Sequence, residues 1–179
     1  MTSQQISQLA IATLTAILTG YFIPDQAHAQ PAPNPPETQP QITRQRGYAG
    51  IGGVIGLNGK TTAWGTGGFS LFSKTIFTDN LSMHNASVIF GSSVSSSSSA
   101  LTLDFPIRNP ASKQIVVSPF LGGGVMMRNE NGLKISPQVT GGVDVPVSKN
   151  ITGTVQLNVG FPSERQADMG LLLGLGYNF

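Results

Sequence analysis

Counting back by twos from the last residue gives Phe179, Tyr177, Leu175, Leu173 and Leu171, all apolar or aromatic. The interleaved series Asn178, Gly176, Gly174, Leu172 and Gly170 is mostly small. Alternation with period two predicts a strand with one apolar face. Its length suits a tilted membrane-crossing strand of roughly 9–11 residues. The same rhythm runs back through the chain. Residues 151–160 set Ile151, Val155, Leu157 and Val159 against Thr152, Thr154, Gln156 and Asn158. Residues 133–145 set Leu133, Ile135, Val139, Val143 and Val145 against Lys134, Ser136, Gln138, Thr140 and Asp144. Residues 47–57 put Ala49, Ile51, Ile55 and Leu57 opposite Gly50, Gly52 and Gly56.

Weaker segments at 66–75, 81–91, 100–106 and 115–127 complete a set of eight strands, of which 81–91 has no cleanly apolar face. Turn signals separate them at 58–59, 107–114, 128–132 and 146–150, and the serine run 92–99 reads as a loop. Pro119 and Pro137 fall inside predicted strands. Each removes a ladder donor, so bulges or late pairing are expected there.

The polar face decides the solvent. On 151–160 it carries Thr, Gln and Asn but no charge, whereas a water-facing strand would normally show Lys and Glu. Apolar faces turned to lipid and neutral polar faces turned to a lumen fit this pattern. Backbone groups in hydrocarbon must all be paired, so the sheet must close. The expectation is an all-β fold, an eight-stranded antiparallel up-and-down transmembrane β-barrel over 47–179, with both ends on the periplasmic side. Strands one and eight then meet at a seam with glycines facing inward, leaving room for large side chains from the opposite wall. An eight-stranded interior is just wide enough for side chains to fill, which argues against a wide aqueous channel.

Composition agrees. Only 10% of the 179 residues are charged, against about 25% in average soluble domains, and no apolar run reaches the roughly 18 residues of a helical span. The net charge of +2 gives no nucleic-acid footprint, and the absence of cysteine excludes disulfides and thiolate metal sites. Residues 1–29 read as a secretory signal, with an apolar region from Leu9 to Ile23 and small residues Ala27 and Ala29 before cleavage. No Lys or Arg precedes that region. Residues 30–46 are Pro- and Gln-rich and read as a disordered periplasmic linker.

The threading places Tyr48, Phe77, Phe105, Tyr177 and Phe179 at a periplasmic rim, and Trp64, Phe90 and Phe161 at an outer rim. These are the expected interface aromatics. Lys74, Asp104 and Asp144 fall near the periplasmic ends of inward faces and are expected to form an ion cluster that plugs the lumen, or alternatively gates it. His84 is the one histidine after the signal, and its own strand offers no acid to orient the ring, so no catalytic, cofactor or metal site is expected. Glycine clusters such as 122–124 lack the lysine and helix context of a phosphate-binding loop.

Several stretches carry a resemblance. The glycine-rich opening strand 48–57, the proline–aromatic–x–glycine–x–glycine pattern at 119–124, the segment 141–147 followed by Asn150, and the terminal run 171–179 resemble the small outer-membrane β-barrel family, the OmpA-like and OmpX-like barrels often called porin-family proteins. The Pro-rich leader is similar to cyanobacterial members. The resemblance covers 47–179 and implies an outer-membrane address. It also implies an assembly signal, Leu171, Leu173, Leu175, Tyr177 and Phe179, read by the barrel-assembly machinery. Outer-membrane lipid is then the surrounding partner. The chain departs from adhesin-type members in its short outer loops, and from longer relatives in having no globular wall-binding domain after the barrel. A non-enzymatic role in envelope structure is expected. A narrow solute or ion channel and a secreted lipocalin-like ligand binder are the alternatives; oligomeric state is left open.

Overall fold

A computed structural model describes residues 47–59, 62–90, 95–129, 132–163 and 166–179. The expected signal and linker, 1–46, lie outside the described residues. The elements are β1 (Gly47–Asn58), α1 (Ala63–Thr66), β2 (Gly68–Ile76), β3 (Leu81–Phe90), β4 (Ser95–Asp104), β5 (Ile107–Arg108), β6 (Ile115–Asn129), β7 (Leu133–Pro146), β8 (Ile151–Gly160) and β9 (Asp168–Asn178). Eight strands pair antiparallel with their neighbours, and the β4–β6 ladder shuts the ring. The two-residue β5 stands outside it, pairing with the overhanging start of β6. The architecture is a closed, up-and-down eight-stranded antiparallel barrel.

Sidedness follows the parity of the numbering. On β8, Val155 and Leu157 are 44% and 38% exposed, while Thr154 and Gln156 are each 3% exposed inside. Even-numbered side chains line the lumen on every barrel strand, and Ile51, Leu71, Leu103, Leu121, Val139 and Leu175 stand on the outside. The neutral polar face points in and the apolar face points out. A soluble ligand-binding barrel has the reverse arrangement.

Both prolines sit where a ladder stops. The Pro119 carbonyl accepts from the Phe105 amide at 2.8 Å, one step past the last β4–β6 pair, Asp104 with Phe120. The Pro137 carbonyl accepts from Phe161 at 2.9 Å, one step past the first β7–β8 pair, Gln138 with Gly160. On each, the missing N–H would face a strand that is already leaving. Late pairing, rather than a bulge, accommodates them.

Three expectations are corrected. Ser95–Ser99 are strand, not loop: they extend β4, with Ser96 to Ser99 pairing with Val88 back to Asn85 on one side and Ser95 to Ser99 pairing with Asn129 back to Val125 on the other. Residues 91–94 lie outside the described residues. The connection from β1 to β2 is not a plain turn, because Thr62 caps the short helix α1 by accepting from the Gly65 amide at 3.4 Å. The seam glycines accommodate rings from nearby strands, not from the opposite wall. A Cβ on Gly50 would stand 2.7 Å from Cζ of Phe72, a residue on the adjacent strand, and one on Gly174 would meet the same ring closer still. Phe72 thus lies flat along the wall over β1 and β9. Phe120 lies over Gly142 in the same way.

Candidate functional site: a lumen closed at two depths

The end of the barrel nearest the C-terminus is crossed by charge. Lys74 on β2 and Asp144 on β7 stand on opposite sides of the ring. Lys74 Nζ reaches across to Asp144 Oδ2 at 2.8 Å and also donates to Asp104 Oδ1 at 2.6 Å. The remaining carboxylate oxygens are held as well. Tyr48 Oη donates to Asp144 Oδ1 at 2.8 Å and Thr154 Oγ1 to the same atom at 2.7 Å, while Ser82 Oγ donates to Asp104 Oδ2. All six residues are buried. Burying two carboxylates is tolerable only when their lone pairs are engaged, and here an ammonium and three hydroxyls do so. His84 stacks on Phe120 beside this crossbar, with ring centroids 4.1 Å apart.

The strand registers explain the convergence. Tyr48 is opposite Lys74, Lys74 opposite His84, Asp104 opposite Phe120, and Asp144 opposite Thr154. Strands of even phase, stacked with these registers, bring every inward group near that end to one level. Above it, Gln156 Nε2 donates to Thr140 Oγ1 and to Asn158 Oδ1, each at 2.9 Å, along one wall, and Phe72 fills the glycine-lined wall.

At the far mouth, α1 sits among the lumen side chains. Trp64 is fully buried, packed with Val54, Val88, Met126 and Leu172, all of which face the lumen. The Ala63 amide donates to Ser96 Oγ at 3.1 Å, and Cβ atoms on Gly56 or Gly170 would strike the α1 backbone. Glycines on β1 and β9 are what let this turn of helix sit inside the mouth. Two layers of buried side chains, one ionic and one apolar, therefore lie in series along the lumen.

Of the residues expected at the lipid interface, Phe105 and Phe161 are outward and exposed, as are Leu173, Leu175, Tyr177 and Phe179, with Leu171 half-buried on the same face. Tyr48 and Trp64 are corrected. Tyr48 shares the inward parity of Gly50 and Gly52 and spends its hydroxyl on Asp144. Trp64 is in α1 and belongs to the mouth closure. Phe90 ends β3 opposite Phe69; its side chain lies outside the described residues. Sequence reasoning missed Ser82, Thr154 and Tyr48 as partners of the ion cluster, although parity alone places all three in the lumen. It also looked for an acid near His84 only along its own strand, whereas Asp104 and Asp144 approach from β4 and β7.

No family model matches the chain, and no curated protein matches it. Solved structures do. The attachment invasion locus protein Ail of Yersinia pestis aligns at 15% identity with a TM-score of 0.50, covering 75% of this chain and 99% of that one. The N-terminal β-barrel domain of Pseudomonas aeruginosa OprF aligns at 13% identity and 0.50, covering 75% and 98%. A de novo designed transmembrane β-barrel aligns at 14% identity and 0.53, covering 74% and 93%. In fold, the chain is a closed eight-stranded barrel of the kind that these outer-membrane proteins and the designed membrane barrel share.

Proposed function

We propose that this chain is an integral outer-membrane barrel with a non-enzymatic role in envelope structure, its lumen shut rather than conducting. The single observation that carries the reading is sidedness. Ile51, Leu103, Leu121, Ile135, Leu157 and Leu175 present an apolar wall to the surroundings, while the charged cluster and the amide–hydroxyl network are internal. Bilayer hydrocarbon is the solvent that rewards this arrangement, and an antiparallel ring leaves no unpaired edge in it. With the signal removed, the mature chain carries ten basic residues against seven acidic. Both ends lie on the periplasmic side in this reading, so the ionic crossbar faces the periplasm and α1 faces outward.

The closures favour structure over transport. Planar-bilayer recordings of the folded mature chain are expected to show no discrete current steps, and carbonate washing is expected to leave it in the membrane. Regular single-channel steps would favour the narrow conduit instead, and release by carbonate would overturn the membrane reading altogether.

The terminal strand supplies the assembly signal in this proposal. Phe179, outward and exposed at the chain end, is its last aromatic. Phe179→Asp is expected to reduce the heat-modifiable, folded fraction recovered from cells several-fold, because a charge replaces the interface anchor. Undiminished folded protein on unboiled gels would remove that role.

A further inference from the structure

We infer that His84, Asp104 and Asp144 form a binding site for a divalent transition-metal ion, for which Lys74 is the intrinsic competitor. The three come from β3, β4 and β7, and one ligand atom of each lies within 4.8 Å of the other two. A ring nitrogen with two carboxylate oxygens suits zinc, cobalt, nickel or manganese. Calcium takes six to eight oxygen ligands, which this set does not supply.

A second observation points to a ligand independently of the acidic pair. His84 is 3% exposed, yet its Nε2 has no hydrogen-bond partner. Leaving a buried polar nitrogen unmatched costs about 1–3 kcal/mol, and the ring stacks on Phe120 beside the two carboxylates. Charge argues the same way. One ammonium faces two carboxylates.

Lys74 marks where positive charge is best received, since its Nζ touches both carboxylates. The ammonium has a second favourable neighbour, the Phe120 ring, 5.5 Å from Nζ to the centroid. Displacement of the ammonium would free one oxygen of each aspartate for a metal. Ser82, Tyr48 and Thr154 meanwhile hold the opposite oxygens in place, as outer partners of metal ligands commonly do.

The test is a Co²⁺ titration of the folded barrel in detergent, read by visible absorption and by the temperature at which the folded gel band disappears. Saturable binding of one ion, with the band persisting to higher temperature, is expected for the wild type. His84→Phe keeps a ring against Phe120 without a nitrogen and is expected to abolish the absorption change. Lys74→Met is expected to bind roughly tenfold more tightly, because a competing unit charge is gone. No saturable binding by the wild type up to about 1 mM, a weak-affinity limit, overturns the proposal. So does undiminished binding by His84→Phe. Binding confined to Lys74→Met also overturns it, leaving the lysine a permanent crossbar. Should Lys74→Met fail to fold, the wild type against His84→Phe decides alone.

Discussion

Replacing Asp144 with leucine is expected to cost the barrel about 3–5 kcal/mol, read as a lowered urea midpoint for the folded band. The loss has three parts. Lys74 keeps only Asp104 of its two carboxylates, while the hydroxyls of Tyr48 and Thr154 lose the Oδ1 they share. A buried ion cluster is strongly missed when one member goes, even where the intact cluster adds little net stability. The companion variant makes the argument sharp. Changing Lys74 to methionine together with Asp104 and Asp144 to leucine removes every charge at once and is expected to recover most of the loss. A single Asp144→Leu change within about 0.5 kcal/mol of wild type, the scale of ordinary surface substitutions, would mean that the cluster is open to water and closes nothing.

Trp64→Ala is expected to cost about 3–5 kcal/mol, the usual price of truncating a buried aromatic, whereas Phe161→Ala, outward on the opposite surface of the same end, costs much less. The contrast separates a lumen role for Trp64 from a place among interface aromatics. Current recordings sharpen it further. Emptying the mouth leaves the Lys74–Asp144 crossbar intact, so Trp64→Ala alone is expected to stay electrically silent. Equal destabilisation by the two changes, measured side by side, would place both aromatics in the same environment and undo the mouth closure.

Strand existence, order and sidedness were legible because a period of two is a strong signal when one face meets lipid and the other does not. Val155 against Thr154 is enough to orient a strand. The signal fails where both faces are alike. In Ser95–Ser99 every position is serine, so alternation has nothing to alternate, and the segment reads as a loop although the neighbouring registers fold it into β4. The outward positions of β3 fail for a related reason. Asn85 and Ser87 have the parity of the outer face, yet both are polar and buried, and Asn85 Oδ1 accepts from Ser99 Oγ at 2.8 Å. Lys74, Asp104 and Asp144 lie 30 or more residues apart in sequence, and only the ring of registers brings them within bonding distance. Parity nevertheless marks the inward member of each strand, and applied consistently it would have put Tyr48 beside them. Trp64 was illegible for a different reason. A single helical turn tucked into a mouth depends on glycines distant in sequence, Gly56 and Gly170, and no local pattern announces it.

The rings lying over glycines bear on how the cylinder finds its correct closure. Phe72 occupies the space above Gly50 and Gly174, and a Cβ on Gly176 would come within 2.7 Å of the Tyr48 ring. Were β9 to slide by two residues along β1, the apolar outer face would survive, since side chains keep their phase. In one direction Leu172 would arrive beneath Phe72, and in the other Asn178 would arrive beneath Tyr48, with no room for either. The last strand therefore works like a key cut to one lock: lipid tolerates several alignments of the joint, and the notches left by missing side chains admit one.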